Sequence, residues 1–175
     1  MHILPDQASV RPAASADLDA IARIFAYYVS NSVATFEETP PTVETWRRRL
    51  DELTRGGLPF LVADVHDEVI GYAYASPWRP KPAYRHTVED SVYVAPGSTG
   101  RGVGRLLLQA VLTRCADAGA RQMIAVVADT GDPASAALHR ALGFSEAGQL
   151  RHVGYKHGHW IDTLLLQREL PAPAR

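Results

Sequence analysis

Cysteine is almost missing from this chain. Cys115 is the single one in 175 residues, so no intramolecular disulfide framework is available and a packed apolar core has to hold the fold. No apolar run approaches the ~18 residues needed to cross a bilayer, and the opening MHILPDQASVRP lacks the basic-then-apolar pattern of a secretory leader. Charge of one sign is missing too. The formal net charge is −1, which gives no general attraction to nucleic acid or an anionic membrane. His157 and His159 invite a zinc reading, but no third spaced ligand accompanies them, so no metal is expected. Repeats, linkers and low-complexity tracts are likewise not found. These absences lead to the expectation of a soluble, cytoplasmic, single domain over residues 1–175, without nucleic-acid or membrane partners.

What is present is a regular succession of elements. Residues Ser9 to Ala13 read as a short strand, and Ser15 as the N-cap of a helix with Leu18, Ile21, Phe25 and Val29 on its inner face. Thr42 caps a second helix carrying Val43, Trp46, Leu50 and Leu53, which Gly56 and Gly57 stop. Phe60 to Asp64 and Val69 to Ala75 form a hairpin signal. A loop with three prolines, SPWRPKPAYRH, leads into a central strand, Thr87 to Val94. A helix over Gly102 to Asp117, a buried strand over Gln122 to Ala128, a helix opened by Asp132-Pro133 and closed by Gly143, and strands from Phe144 and over Trp160 to Gln167 complete the chain. The last residues, PAPAR, read as a frayed tail. This order predicts an α/β chain with one mixed sheet and helices on both faces.

The stretch from Thr87 to Leu108 carries the chemistry. A strand runs into a glycine-rich turn, and a helix begins inside that turn. A helix start leaves backbone N–H groups without partners and carries roughly half a positive charge. Gly100, Gly102 and Gly104 leave room for a phosphate or pyrophosphate to reach those groups, and Arg101 adds a cation. The sequence G-R-G-V-G is neither a dinucleotide fingerprint nor a Walker motif. Glu89, an acid among apolar and β-branched neighbours, sits on the strand just before the turn. By alternation it shares a face with Ser91 and Tyr93, while Val88, Val92 and Val94 take the other. An anion cradle beside a proton acceptor predicts group transfer from a phosphate-bearing donor.

Thr99-Gly100-Arg101-Gly102-Val103-Gly104 resembles the Q/R-x-x-G-x-G/A loop of the GNAT superfamily of acetyl-CoA-dependent N-acetyltransferases, with Thr99 where the pattern has Gln or Arg. DPASAALHRALGF resembles the superfamily's helix beside the pantetheine arm, with Asp132 where many members carry Asn. ATFEETPPTVETW, SPWRPKPAYRHTVEDSVYV and GYKHGHWID are similar to the phosphinothricin and methionine sulfoximine N-acetyltransferase branch. The resemblance covers most of the chain and implies the GNAT fold, with acetyl-CoA as cosubstrate. It would be held by Val92, Tyr93, Val94, Thr99, Gly100, Arg101, Gly102, Val103, Gly104, Asp132 and Ser135.

The resemblance also implies roles. Glu89 is the general base that takes a proton from the amine, an effect typically worth ~10²–10⁴-fold. His139, where many members have tyrosine, either donates a proton to the departing thiolate or caps the edge of the core. Arg79, Lys81 and Tyr84 on the proline-stiffened loop suit the anionic oxygens of an amino acid analogue. Phe36 walls the pocket or packs. Lys156 and Trp160, with His159, lie near the pocket or at a dimer contact, a homodimer being expected from the resemblance alone. The substrate implied is a small α-amino acid analogue such as phosphinothricin or methionine sulfoximine. Acetylation of a peptide N-terminus, and a coenzyme A sensor without turnover, remain as rivals. The apolar helix face around Cys115 argues against an acyl-carrying thiol.

Overall fold

In a computed structural model the chain folds around one seven-stranded sheet, and the structure describes residues 8–172. The first seven residues, and the final three of the expected frayed tail, lie outside the described residues. The strands are β1 (Ser9–Pro12), β2 (Phe60–Val65), β3 (Glu68–Pro77), β4 (Thr87–Val94), β5 (Gln122–Ala128), β6 (Ser145–Lys156) and β7 (His159–Glu169), in spatial order β1-β2-β3-β4-β5-β7-β6. The helices are α1 (Leu18–Asn31), α2 (Val43–Arg55), α3 (Val103–Asp117) and α4 (Ala134–Ala141). All neighbouring strands are antiparallel except β4 and β5, which are parallel. The expected mixed sheet with helices on both faces is therefore the fold observed.

Alternation along the strands sorts the core into two layers. Leu61, Ala63 and Val65 of β2 join Val88, Met123 and Leu166 in packing on Val103, Leu107, Val111 and Cys115 of α3. Phe60 and Val62, with Tyr72 and Tyr74 of β3, face the opposite way and pack on Leu18, Ile21, Phe25, Trp46 and Leu50 of α1 and α2. A sheet covered on both sides explains why β2 is buried along its whole length.

The helix starts differ in how they are satisfied. Thr42 caps α2 as expected, its hydroxyl accepting from Thr45 N–H at 3.2 Å. Ser15 does not cap α1. The chain enters through a 3-10 turn over Ser15–Asp17, and the Asp17 carboxylate takes the Ala14 N–H at 2.7 Å. The same carboxylate receives a two-pronged grip from Arg11, at 2.8 and 2.9 Å, which an alternative cap at Ser15 would have to forgo.

The feature that positions the site is where β4 and β5 part. Their ladder covers only Thr87↔Gln122, Val88↔Met123 and Glu89↔Ile124, yet β4 continues to Val94 and β5 to Ala128. β4 stays paired with β3 over its full length, and β5 with β7. The two halves of the sheet diverge, and a cleft opens between them.

Candidate active site

The cleft encloses about 680 Å³ and is walled by β4 and β5, floored toward α1 by Tyr27 and Tyr28, and closed at one end by the turn before α3. Trp78 N–H bonds Thr87 O, and Ala95 N–H bonds Ile70 O, so the odd-numbered residues of β4 direct their backbone groups at β3. By alternation the N–H groups of Val92 and Val94 point the other way, into the gap that β5 leaves once the ladder ends at Glu89↔Ile124. On the same edge Tyr28 occupies an acceptor and not a donor, giving its hydroxyl proton to Val94 O at 2.5 Å.

At the turn, Gly102 is the N-cap of α3 and has a left-handed backbone (φ 80°). With no side chain there to act as a cap, the first N–H groups of the helix remain available to a ligand. Gly100 is also left-handed (φ 72°), and a Cβ on it would touch nothing within 4 Å, so conformation rather than crowding calls for glycine. Gly104 has a different reason: a Cβ there would lie 3.3 Å from the Leu138 side chain of α4. Two of the three glycines shape the turn, and the third lets α4 pack close.

Of the residues expected to hold a cofactor, Val92, Tyr93, Val94, Thr99, Gly100, Gly102, Val103, Gly104, Asp132 and Ser135 all line this cleft, as do Glu89 and His139. Arg101 does not line it. Asp132 accepts the Ala134 N–H at 2.9 Å and so fixes the start of α4. Among the described residues no cluster of three or more potential metal ligands occurs.

Glu89 is half-buried where the ladder ends. Burial pushes its carboxyl above the ordinary value; the neighbouring Asp90 charge adds to this, and Arg79 partly opposes it. β4 keeps an unbroken register with β3, so Glu89, Ser91 and Tyr93 do share one face. On the other face, among the valines, lies Asp90, which the sequence reading passed over.

Asp90 is buried and its Oδ2 lies 2.9 Å from Nε2 of His139 on α4. His139 is 4% exposed, its ring stands edge-on to Phe144 at 4.9 Å, and its Nδ1 lies 2.7 Å from the carbonyl oxygen of Ser135. Both ring nitrogens are thus engaged, and the imidazole has neither one unpartnered for a thiolate in the cleft. The signal for Asp90 was available in the alternation: a carboxylate on an apolar stripe demands a partner, and a histidine on the helix packing over it supplies one.

None of the expected substrate residues lines the cleft. Arg79, Lys81 and Tyr84 are exposed on the β3–β4 loop, where Pro82–Tyr84 forms a 3-10 turn and the Arg79 guanidinium lies over the Trp78 ring at 5.1 Å. Phe36 brings the far end of its ring against Gly154 of β6, where any side chain would run into it. Lys156 is buried, and its ammonium donates to the carbonyls of Ser32 and Thr35, each at 2.8 Å, tying β6 to the segment after α1. Trp160 is 65% exposed and pairs with Tyr155 at 4.9 Å on the β6–β7 hairpin. Cys115 is buried, and its thiol is pushed up to about 12 by burial and the nearby Asp90 charge.

A model of the acetyltransferase (GNAT) domain matches residues 10–165. The chain belongs to the GNAT acetyltransferase family. Within it, the chain is 49% identical to a phosphinothricin N-acetyltransferase of Alcaligenes faecalis, over 94% of this chain and 83% of that one. It is 42% identical to an L-methionine sulfoximine/L-methionine sulfone acetyltransferase of Pseudomonas aeruginosa, over 93% of this chain and 95% of that one. A GNAT superfamily phosphinothricin acetyltransferase from Sinorhizobium meliloti, solved in complex with acetyl-CoA, superposes with a TM-score of 0.90 at 47% identity, covering 94% of this chain and 89% of that one. The split β4–β5 pair and the glycine turn thus lie within an acetyltransferase domain.

Proposed function

We propose that this acetyltransferase transfers the acetyl group of acetyl-CoA to the α-amine of a small amino acid analogue, of the phosphinothricin or methionine sulfoximine kind, with Glu89 as general base. One observation carries the reading: a half-buried carboxyl with a raised pKa stands in the same cleft as a helix start whose N–H groups have no cap. The residues present fit acetyl-CoA. Val103, Gly104 and the turn before them offer N–H groups to a diphosphate, and the open edge of β4 offers hydrogen bonds to an amide-bearing arm laid along it. When bound, acetyl-CoA supplies an activated acyl carbon.

The protein's own groups do the rest. An amine must be neutral to attack, and Glu89, raised toward the working range, is a better acceptor for its proton than an ordinary carboxylate. A cleft-facing N–H of β4 gives the charge that develops on the carbonyl oxygen a fixed partner. Arg79, close enough to Glu89 to oppose its raised pKa, is suited to a substrate's carboxylate, with Lys81 and Tyr84 on the same stiffened loop. The names of the two relatives support the substrate class. We also infer a homodimer, supported by the exposed apolar side chains of β6 and β7.

The test is release of thiol from acetyl-CoA across a panel containing phosphinothricin, methionine sulfoximine, methionine sulfone and short peptides, with wild type, Glu89→Gln and Arg79→Ala. The proposal expects turnover on the amino acid analogues, a loss of about 10²-fold or more in kcat for Glu89→Gln, and a raised KM for the amine in Arg79→Ala. Full activity of Glu89→Gln defeats the base assignment, and a preference for peptides defeats the substrate class.

A further inference from the structure

The chain between α1 and α2 walls part of the cleft without belonging to a helix or strand. Ser32 and Ala34 line the cleft there. They stand on the side of β4 that bears Glu89, Ser91 and Tyr93. Tyr28 of the preceding helix packs on the Tyr93 ring at 5.3 Å, and the Thr35 hydroxyl faces the Tyr93 phenol. In the proposed reaction this is the side of the amine, while the diphosphate sits at the turn before α3. Little of the segment's own backbone holds it. Ser32 N–H bonds Tyr28 O at 3.1 Å, but among the described residues no backbone-to-backbone hydrogen bond involves residues 33–41. Two local side-chain turns remain, Ala34 N–H to the Ser32 hydroxyl at 3.0 Å and Glu37 N–H to the Thr35 hydroxyl at 3.2 Å.

The rest of the support comes from the end of β6. Gly154 and Lys156 fall on one face of that strand, and Tyr155 between them turns to solvent, 58% exposed. The buried Lys156 ammonium donates to Ser32 O and Thr35 O, so one cation grips both ends of the Ser32–Thr35 stretch. Gly154 receives the end of the Phe36 ring. Its backbone is not left-handed, so the glycine answers a need for space rather than for conformation.

We propose that Lys156 and Gly154 are positioning residues for the amine, which fix the Ser32–Phe36 segment against β6 and so set the shape of the wall that the acceptor meets. The inference rests on the acetyl-transfer reading above, with Glu89 at the amine end. Neither residue lines the cleft, so both act through the segment they hold. A wall with so few hydrogen bonds of its own would otherwise be ordered by the substrate, at a cost in affinity. An ammonium suits the task because it has three donors and no acceptor, and the two carbonyls take two of them.

Lys156→Met and Gly154→Ala disturb the segment by different routes, one removing its clamp and the other pushing on the Phe36 ring. The probe is whichever amine of the panel above reacts fastest. Both variants should raise KM for that amine by about tenfold, while kcat and KM for acetyl-CoA stay within about twofold of wild type. General loosening of the fold would not separate the two substrates in this way. Adding Phe36→Leu to Gly154→Ala removes the ring atoms that the new methyl meets, and should return the amine KM to within about twofold of wild type. Should Lys156→Met not fold, Gly154→Ala and its double variant decide. An unchanged amine KM in Gly154→Ala, a parallel rise for acetyl-CoA, or no recovery in the double variant overturns the proposal. Glu89→Gln in the same assay keeps the two readings apart, since it tests the base through kcat and leaves the clamp intact.

Discussion

Lys156 is a side chain whose role the fold decides. In sequence it stands in a run that resembles a substrate-binding segment, yet its ammonium is buried against two carbonyls more than a hundred residues away along the chain. Burial pulls its pKa down, and Glu38 and Glu37 oppose that shift. Lys156→Met leaves both carbonyls without their donor, so unfolding in urea should show a loss of about 2 kcal/mol. An unchanged midpoint would mean that water replaces the ammonium without cost. Asp90 is the converse case. Its position on an apolar stripe was visible in the sequence, but its partner His139 comes from a helix 49 residues on, and only the fold brings them together.

Elements were more legible than their contacts. β4 and α3 were readable because β-branched alternation and a helical apolar face are strong local signals, and the glycine turn between them has its own chemistry. The start of α1 was not, because Asp17 answers to Arg11 on β1 rather than to its own helix alone. β6 was legible only as a beginning. It is largely exposed, with register breaks between Glu146 and Gly148 and between Leu150 and Gly154, so it lacks a clean period of two. The same strand bears on assembly. It is a sheet edge, and with β7 it exposes Leu150, Val153, Tyr155 and Trp160 at 46–65% of their area. An exposed apolar edge invites pairing with a partner. Trp160→Glu should shift the inferred dimer to monomer in sedimentation, and a monomeric wild type would remove the inference.

At the scale of the whole molecule, two devices act at different places on the sheet, one at its β1 edge and one at its centre. At one end Arg11 joins Asp17 and Asp64, tying β1, β2 and the entry to α1. The Arg11 hydrogen bond, helped by the Ala14 N–H, holds the Asp17 carboxyl below its ordinary value despite burial. A carboxyl lowered in the folded state contributes stability that is present above its unfolded value, and that stability is lost as pH falls through the folded one. Asp17→Asn should therefore lower Tm at neutral pH and flatten the decline of Tm below about pH 4. A variant whose Tm–pH curve runs parallel to wild type would contradict this.

In the middle of the sheet, β4 and β5 part and leave one strand edge and one helix start unsatisfied on the same cleft, and the proposed acetyl transfer depends on that arrangement. Thr99 is exposed at the turn, its hydroxyl donating to Pro96 O at 3.1 Å. Calorimetric titration of acetyl-CoA into wild type and Thr99→Asp measures the claim most directly. A carboxylate placed beside a bound diphosphate should weaken binding by roughly tenfold, about 1.4 kcal/mol, and the penalty should shrink as salt is added. Equal affinity of the two proteins at low salt would contradict the account, because the diphosphate would then lie somewhere other than this turn.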